Sequence, residues 1–294
     1  MNSTSKVVGI GEILWDMFPD GSRLGGAPAN FACHCFQLGG DSCPVSCVGV
    51  DELGERTRTE LSKLGVETEY VQESSSYPTG KVMVKLDDKG KPTYEIIEGV
   101  AWDHIAFTPE LKALASTLDA ACFGSLSQRS AETRETVRAF LQQMPAQSIK
   151  IFDVNLRTPF YSKEVIEESL QLATILKLSD EELPVLAEYF NLQGSPTEQL
   201  ALLREHFDLK LVAYTRGSEG SILVAKGEVN MTPGLSITPV DSVGAGDSFT
   251  AALCMGLLKG YSLPQVNAFA NQVAAFVCSN KGACPELPDH LKLG

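Results

Sequence analysis

The sequence predicts an α/β fold in which a mostly parallel sheet is flanked by helices. Two observations carry that prediction: short apolar runs recur along the chain, and stretches of helical period separate them. A third marks an exception, two segments on either side of residue 90 that alternate with period two. The buried strand candidates are 7–10, 47–50, 121–123, 149–153 and 211–214, typified by Val7-Val8-Gly9-Ile10. Continuous apolar strands of this kind belong to parallel sheets covered on both faces. An apolar segment, Phe31, Ala32, Cys35, Phe36 and Leu38, ends at Gly39-Gly40, the spacing of a helix closed by a C-terminal glycine. Further helical spacing covers 54–64, 109–117, 131–143, 163–177, 181–190, 196–206 and 246–259. The alternating segments are 81–86 and 93–97, and Asp87-Asp88-Lys89-Gly90 between them predicts a hairpin turn outside the parallel core.

A chain of 294 residues, 44% hydrophobic, can bury a substantial core as one large domain or two small ones, and no linker separates two halves. The net charge of −13 argues against a nucleic-acid or anionic-membrane partner. The first nine residues lack the apolar core of a signal peptide, and no apolar run approaches the ~20 residues needed to span a bilayer. A cytoplasmic protein is therefore expected. Among eight cysteines, Cys33, Cys35, Cys43 and Cys47 cluster with His34. Cys33 and Cys35 are two apart on a helical segment and face different sides, and no Cys-x-x-Cys spacing occurs, so reduced and mostly buried thiols are expected.

The chemistry concentrates at Asp241-Ser242-Val243-Gly244-Ala245-Gly246-Asp247-Ser248-Phe249. A helical pattern starts directly after Asp247, with Phe249, Ala252, Leu253, Leu257 and Leu258 on its apolar face. Small residues before it let backbone N–H groups point outward at a helix N-terminus, where partial positive charge attracts anions such as phosphate. A carboxylate would compete with that anion, unless it takes a proton from a hydroxyl while the N–H groups hold a phosphoryl group. Simple N-capping by Asp is the alternative for an isolated Gly-x-Gly-Asp.

A second glycine cluster, Gly25-Gly26-Ala27-Pro28-Ala29-Asn30, leads into the first helical segment. Gly26 permits close backbone approach, and Asn30 offers a donor and an acceptor suited to a sugar hydroxyl; a tight loop with Asn30 satisfying its backbone is the structural alternative. Taken together, Gly25-Gly26…Asn30 and Asp241-Ser242-x-Gly244-Ala245-Gly246-Asp247 resemble the two signatures of the PfkB/ribokinase family of carbohydrate kinases. Ser242 stands where that signature has Thr, which keeps the hydroxyl. The resemblance covers nearly the whole chain. It implies one ribokinase-like domain over 1–294, with a small β-sheet lid at about 12–25 and 78–102 that covers the sugar and often mediates dimerisation. It also implies that Asp247 is the catalytic base and that Gly244, Ala245 and Gly246 form the anion hole. ATP would enter with Mg²⁺, with a monovalent cation such as K⁺ as a further activator.

Other positions gain roles by the same match. Asp16, past the first strand, matches a position that holds sugar hydroxyls; for Glu12 a substrate role and a structural role fit equally well. Asp153-Val154-Asn155-Leu156-Arg157 resembles the Asp-x-Asn-x-Arg of fructokinase-like and ketodeoxygluconate kinase members. Alternation would put Asp153, Asn155 and Arg157 on a common side if the chain stays extended. Arg157 would then stabilise charge on the transferred phosphoryl, against the alternative of an ion pair bracing the loop. Ser179-Asp180-Glu181-Glu182 occupies an Asn-x-x-Glu position whose Glu supports Mg²⁺ through water; Ser179 departs from Asn, and Glu182 also suits a helix N-terminus. Thr215, Gly217 and Gly220 resemble the nucleotide loop, and Asn271, Cys278, Ser279, Gly282 and Ala283 fall where relatives enclose adenine.

Rival classes fit worse. A P-loop needs Gly-x-x-x-x-Gly-Lys-Ser/Thr, but Gly80-Lys81 and Gly90-Lys91 have Ser75 and Lys85 at the first glycine and no Ser/Thr after the Lys. Gly9-Ile10-Gly11 has Leu14 at the third place of a dinucleotide motif. A non-catalytic sugar-binding regulator would be expected to lose Asp247 or the anion hole, and both are present. Gly99-Val100-Ala101-Trp102-Asp103 and Gly124-Ser125-Leu126-Ser127-Gln128-Arg129 look like bacterial fructokinase segments, so fructose is the expected sugar, with ketodeoxygluconate, ribose or another ketose as alternatives. Ala27-Pro28 replaces the Lys-Gly common in ribokinases, which argues mildly against ribose.

Overall fold

The computed structural model describes residues 4–86 and 92–293. Its larger sheet holds, in spatial order, β13 (Glu228–Thr232), β12 (Ser221–Ala225), β11 (Leu211–Thr215), β10 (Ile175–Ser179), β9 (Ile149–Asp153), β8 (Ala120–Gly124), β1 (Lys6–Ile10), β4 (Asp41–Gly49) and β5 (Val71–Ser74). Every pairing from β11 to β5 is parallel, and β12 and β13 extend the sheet antiparallel. A separate sheet has the order β3 (Gly21–Gly25), β2 (Leu14–Phe18), β6 (Gly80–Leu86) and β7 (Pro92–Ile96). It branches from the carboxyl ends of β1 and β5, the edge of a parallel sheet where ligands gather.

Alternation along the strands sorts the core into two layers. Val8, Phe152, Leu176 and Val212 face one cluster with α3 (Pro109–Ala115), α4 (Ala131–Gln143), α5 (Lys163–Leu172), α6 (Leu183–Phe190) and α7 (Pro196–His206). Val7, Ile151, Ile175 and Leu211 face the other, with α1 (Ala27–Gln37), α8 (Ala245–Leu258) and α9 (Leu263–Cys278). Helix α2 (Glu52–Lys63) packs Leu61 against Val48 of β4. α8 is buried from Ser248 to Gly256 because it lies between the sheet and two helices, which explains an apolar sequence on nearly all of its sides. No helix among the described residues is long and apolar enough to cross a membrane.

The structure redraws several predicted elements. The helix expected over 163–177 ends at Leu172, and 175–179 form β10. No Gly or Pro marks that break; it is set at long range, where the Thr174 amide donates to the Lys150 carbonyl at 2.9 Å and Thr174 Oγ1 accepts from the Lys150 amide at 2.9 Å. The period-two pair is the antiparallel ladder of β6 with β7, while the turn expected at 87–90 lies outside the described residues. Residues 12–25, expected only as part of a small sheet, contain the hairpin of β2 and β3. The hairpin of β12 and β13 and the helix α9 are additions that the apolar pattern did not reveal. All eight cysteines are free.

Candidate active site

The N-terminus of α8 is shaped by backbone contacts. Gly244 is its N-cap with φ 78°, and a Cβ there would lie 2.3 Å from the Ala283 carbonyl oxygen, so glycine is required on two counts. Asp241 ties the approach together: its Oδ1 accepts from the Val243 amide at 3.0 Å and its Oδ2 from the Gly282 amide at 3.1 Å. His34, buried in α1, holds Ala283 from behind through a 2.9 Å contact of Nε2 with its carbonyl. Burial pushes the His34 pKa down to about 4, so the ring is neutral and Nε2–H donates.

Asp247 occupies the first turn of α8 and is half-buried. Asn30 Nδ2 donates to its Oδ2 at 2.8 Å, across 217 residues of sequence. Burial raises the Asp247 pKa above the usual carboxylate range, and the Asn30 hydrogen bond, Lys177 and Arg157 oppose the rise. Asn30 thus bonds to the predicted base, a contact the expectation of a sugar partner did not include.

Glu12 follows β1 and is 1% exposed, with Oε2 lacking a hydrogen-bond partner. Burial raises its pKa to about 7 against the pull of backbone amides and Arg157, with the Asp247 charge adding to the rise. Gly26 (φ 115°) is glycine because a Cβ would strike the Glu12 carbonyl at 2.4 Å, so the close approach made there is to this loop. Asp16 lies past the first strand, within β2 of the small sheet and opposite Arg23. Burial raises its pKa too, and Arg157 and Arg23 lower it.

Arg157 is exposed and donates to the Leu156 carbonyl at 3.0 Å, while its charge reaches Glu12, Asp16 and Asp247. The common side expected for Asp153, Asn155 and Arg157 does not exist. Asn155 adopts φ 42°, which breaks the alternation, and Asp153 turns inward at the end of β9. There Asp153 Oδ1 accepts from Lys177 Nζ at 3.0 Å and Oδ2 from Thr250 Oγ1 at 3.0 Å. Burial brings Asp153 to about 6 despite the ammonium. Burial also disfavours the Lys177 charge, but Asp153 and then Glu182 outweigh it and hold the lysine above its ordinary value. Glu182 uses both carboxylate oxygens, accepting from the Leu156 amide at 2.9 Å and the Ser179 amide at 2.8 Å; it braces two strand ends.

On the other side of Asp247 a cleft of about 700 Å³ opens. Thr215, Gly217, Gly220, Ala245, Gly246 and Asn271 line it, together with Leu235, Ile237, Pro239, Ala274 and Cys278. Asn271 Nδ2 is already committed to Ser221 Oγ at 2.6 Å and to the Asn267 carbonyl at 2.8 Å. Ser279 is not in the wall: its hydroxyl donates back to the Ala275 carbonyl at 2.8 Å. Sequence reasoning missed Lys177, although a lone cation in the apolar run Ile175-Leu176-Lys177-Leu178 was a usable signal, and it missed the apolar wall at 235–239.

Residues 20–290 match the pfkB family of carbohydrate kinases. An uncharacterized sugar kinase of Pyrococcus horikoshii is 33% identical over 94% of this chain and 91% of its own. Its crystal structure superposes with a TM-score of 0.82 over 95% of this chain and 94% of that one, and a second structure of it is in complex with ATP. The fructokinase of Escherichia coli is 28% identical over 97% of each chain. Fructokinase from Vibrio cholerae O395, in fructose-, ADP- and calcium-bound form, has a TM-score of 0.83 at 25% identity over 98% of this chain and 97% of its own. The chain belongs to the pfkB family of carbohydrate kinases and is an ATP-dependent sugar kinase of ribokinase-like fold.

Proposed function

We propose that this kinase is a fructokinase, transferring the γ-phosphoryl of ATP to the 6-hydroxyl of D-fructose. The observation that carries the reading is the position of Asp247 beside two unlike surroundings: an apolar cleft lined as far as Ala245 and Gly246, and a charged cluster in which Asn30 bonds to Asp247 and the Arg157 charge acts on Glu12, Asp16 and Asp247. The cleft is assigned to the nucleotide and the charged cluster to the sugar. Asp247 takes the proton of the attacking hydroxyl as the oxygen–phosphorus bond forms and the bond to the ADP oxygen breaks. The amides of 244–246 and the Arg157 guanidinium stabilise charge on the phosphoryl in flight. Fructokinase-like relatives and the Ala101-Trp102-Asp103 segment support fructose.

Mg²⁺ belongs to this reading as part of the ATP complex. No cluster of three His, Cys, Asp or Glu residues among those described could cage a metal, which suits an ion held mainly by phosphate oxygens, with Glu182 acting through water. The bound ion would neutralise phosphate charge. K⁺ activation, a homodimer formed through the small sheet, whose Met83 and Tyr94 are exposed, and a cytoplasmic setting complete the reading.

Arg157 serves one rival equally well, because a guanidinium with no ion pair among the described residues also suits the carboxylate of ketodeoxygluconate. The deciding measurement is kcat/KM for fructose, ketodeoxygluconate, ribose and glucose under identical Mg²⁺ and ATP. A site that pairs substrate hydroxyls disfavours an analogue lacking one by ~10⁴-fold, so fructose should stand out. Ketodeoxygluconate winning by orders of magnitude would overturn the fructose assignment. No turnover of any sugar would leave the non-catalytic regulator.

A further inference from the structure

We propose that Lys177 is a positioning residue for phosphoryl transfer: its buried ammonium carries the first turn of α8 and is the fixed counter-charge of Asp247. The inference rests on the reading of Asp247 as the base. Lys177 sits mid-strand in β10 and is 7% exposed. A buried lysine without a partner loses its proton readily. Here Asp153 retains it at 3.0 Å, and Asp153 reaches α8 through Thr250 Oγ1, itself 2.9 Å from the Gly246 carbonyl oxygen. The ammonium also lies close beside that turn: a Cβ added at Gly246 would lie 3.2 Å from Nζ. A larger residue in the proposed anion hole would therefore crowd the cation, apart from any need to let phosphate approach.

The surroundings of Asp247 single out Lys177 as the immobile charge. Asn30 of α1 donates a neutral hydrogen bond. Arg157, on the loop after β9, is exposed, while Glu12 and Asp153 are like charges whose carboxyls feel Asp247. Cys122 of β8 and Cys284 contribute thiols that burial and neighbours keep protonated. Glu182, the other carboxylate acting on Lys177, is anchored by two amides. Lys177 thus acts on Asp247 as a fixed positive charge, and Asp153 holds that charge in place. A residue that only filled space would show no such sign.

The test is the titration midpoint of the Asp247 carboxyl, followed by ¹³C NMR in the free protein and assigned with Asp247→Asn. Lys177→Met should raise the midpoint by about one pH unit, whereas Lys177→Arg, which keeps the positive charge, should leave it within about 0.3 unit. The acid limb of kcat should follow in each case, with KM for sugar and ATP within about threefold. If Lys177→Met does not fold, Lys177→Gln gives the sign. An unmoved midpoint in the neutral variant, or an equal shift in Lys177→Arg, overturns the proposal. Wild-type protein that turns over no sugar would overturn the kinase reading of the site, while the NMR midpoint, needing no substrate, still decides the role of Lys177.

Discussion

The two spaces flanking Asp247 are built on opposite principles. The charged side gathers Glu12, Asp16, Asn30, Arg157 and Asp247 from four separate segments, with Glu12 and Asn30 buried and the three carboxyls raised in pKa. The cleft is walled by glycines, small side chains and half-exposed apolar residues such as Leu235 and Ile237. Directional groups whose partners are fixed discriminate strongly, because an unmet buried donor or acceptor is costly. Apolar walls discriminate weakly, by about 1–3 kcal/mol per contact. The protein is therefore expected to be selective for its acceptor and permissive for the nucleotide base, and damage to the two sides should scale differently.

The largest effect should come from the group they share. Asp247→Asn keeps the Asn30 side able to hydrogen-bond but removes the proton acceptor, so kcat should fall by ~10²–10⁴-fold with KM for ATP and sugar little changed. Near-normal kcat in the folded variant would refute the base assignment. The raised Asp247 pKa adds a direction: activity should decline as pH falls, beginning above the usual carboxylate range.

Next in size is the energetic strain of the charged pocket. Glu12 holds its proton to about pH 7 when folded, against 4.5 ordinarily. Between those values the unfolded chain ionises first, so stability is full below about 4.5 and is lost as pH rises toward 7. At about 1.4 kcal/mol per pH unit the ceiling is about 3 kcal/mol. Glu12→Gln should flatten that fall in urea melts at pH 5 and pH 8, and an unchanged pH dependence would count against a protonated Glu12. His34 acts in the opposite sense, its contribution present above its ordinary 6.5 and lost as pH falls toward 4, while Asp153, raised to about 6, adds to the fall that Glu12 causes.

How much of this was readable follows the same division. Glycines announced themselves where the backbone has no alternative: Gly244 and Gly26 combine positive φ with carbonyls that would meet a Cβ. Asp247 was singled out because a charge beside such a turn is unusual, whereas Asp16 was singled out only by its match to the family. The contact of Asn30 with Asp247 spans 217 residues and had no local trace. Lys177 was hidden because the helical period of α5 runs on into β10 without a breaker, and only pairing with β9 ends the helix. The small and amide residues of α9 dilute its periodicity, although Ser262 and Gln265 form a capping box that was legible. The apolar cleft wall at 235–239 carries no repeating pattern, so it emerged only from the fold.

A gentler effect is expected in the cleft. Ile237→Ala removes part of one half-exposed wall, so KM for ATP should rise by about threefold to tenfold, consistent with ~1 kcal/mol of lost contact, and kcat should hold. A fall in kcat matching that of Asp247→Asn would erase the contrast between the two sides.

The smallest effect in energy tests whether the pocket is shaped by motion. Asp16 belongs to the small sheet, and its pairing partners are Arg23 of β3 and Val82 of β6, so any sugar held by Asp16 is coupled to that sheet as a unit. The cleft has no comparable connection, since its walls come from the end of the larger sheet, the 234–239 segment and α9. Fructose should therefore slow hydrogen exchange at β6 and β7 amides, by an amount on the order of 1 kcal/mol of added protection, whereas ATP alone should leave them unchanged. The ladder between Val82 and Ile96 offers the amides to follow, away from residues 87–91. Equal protection by both ligands would mean that the two spaces close together, and no protection at saturating fructose would mean that the small sheet is a fixed wall and selectivity comes from side-chain placement alone.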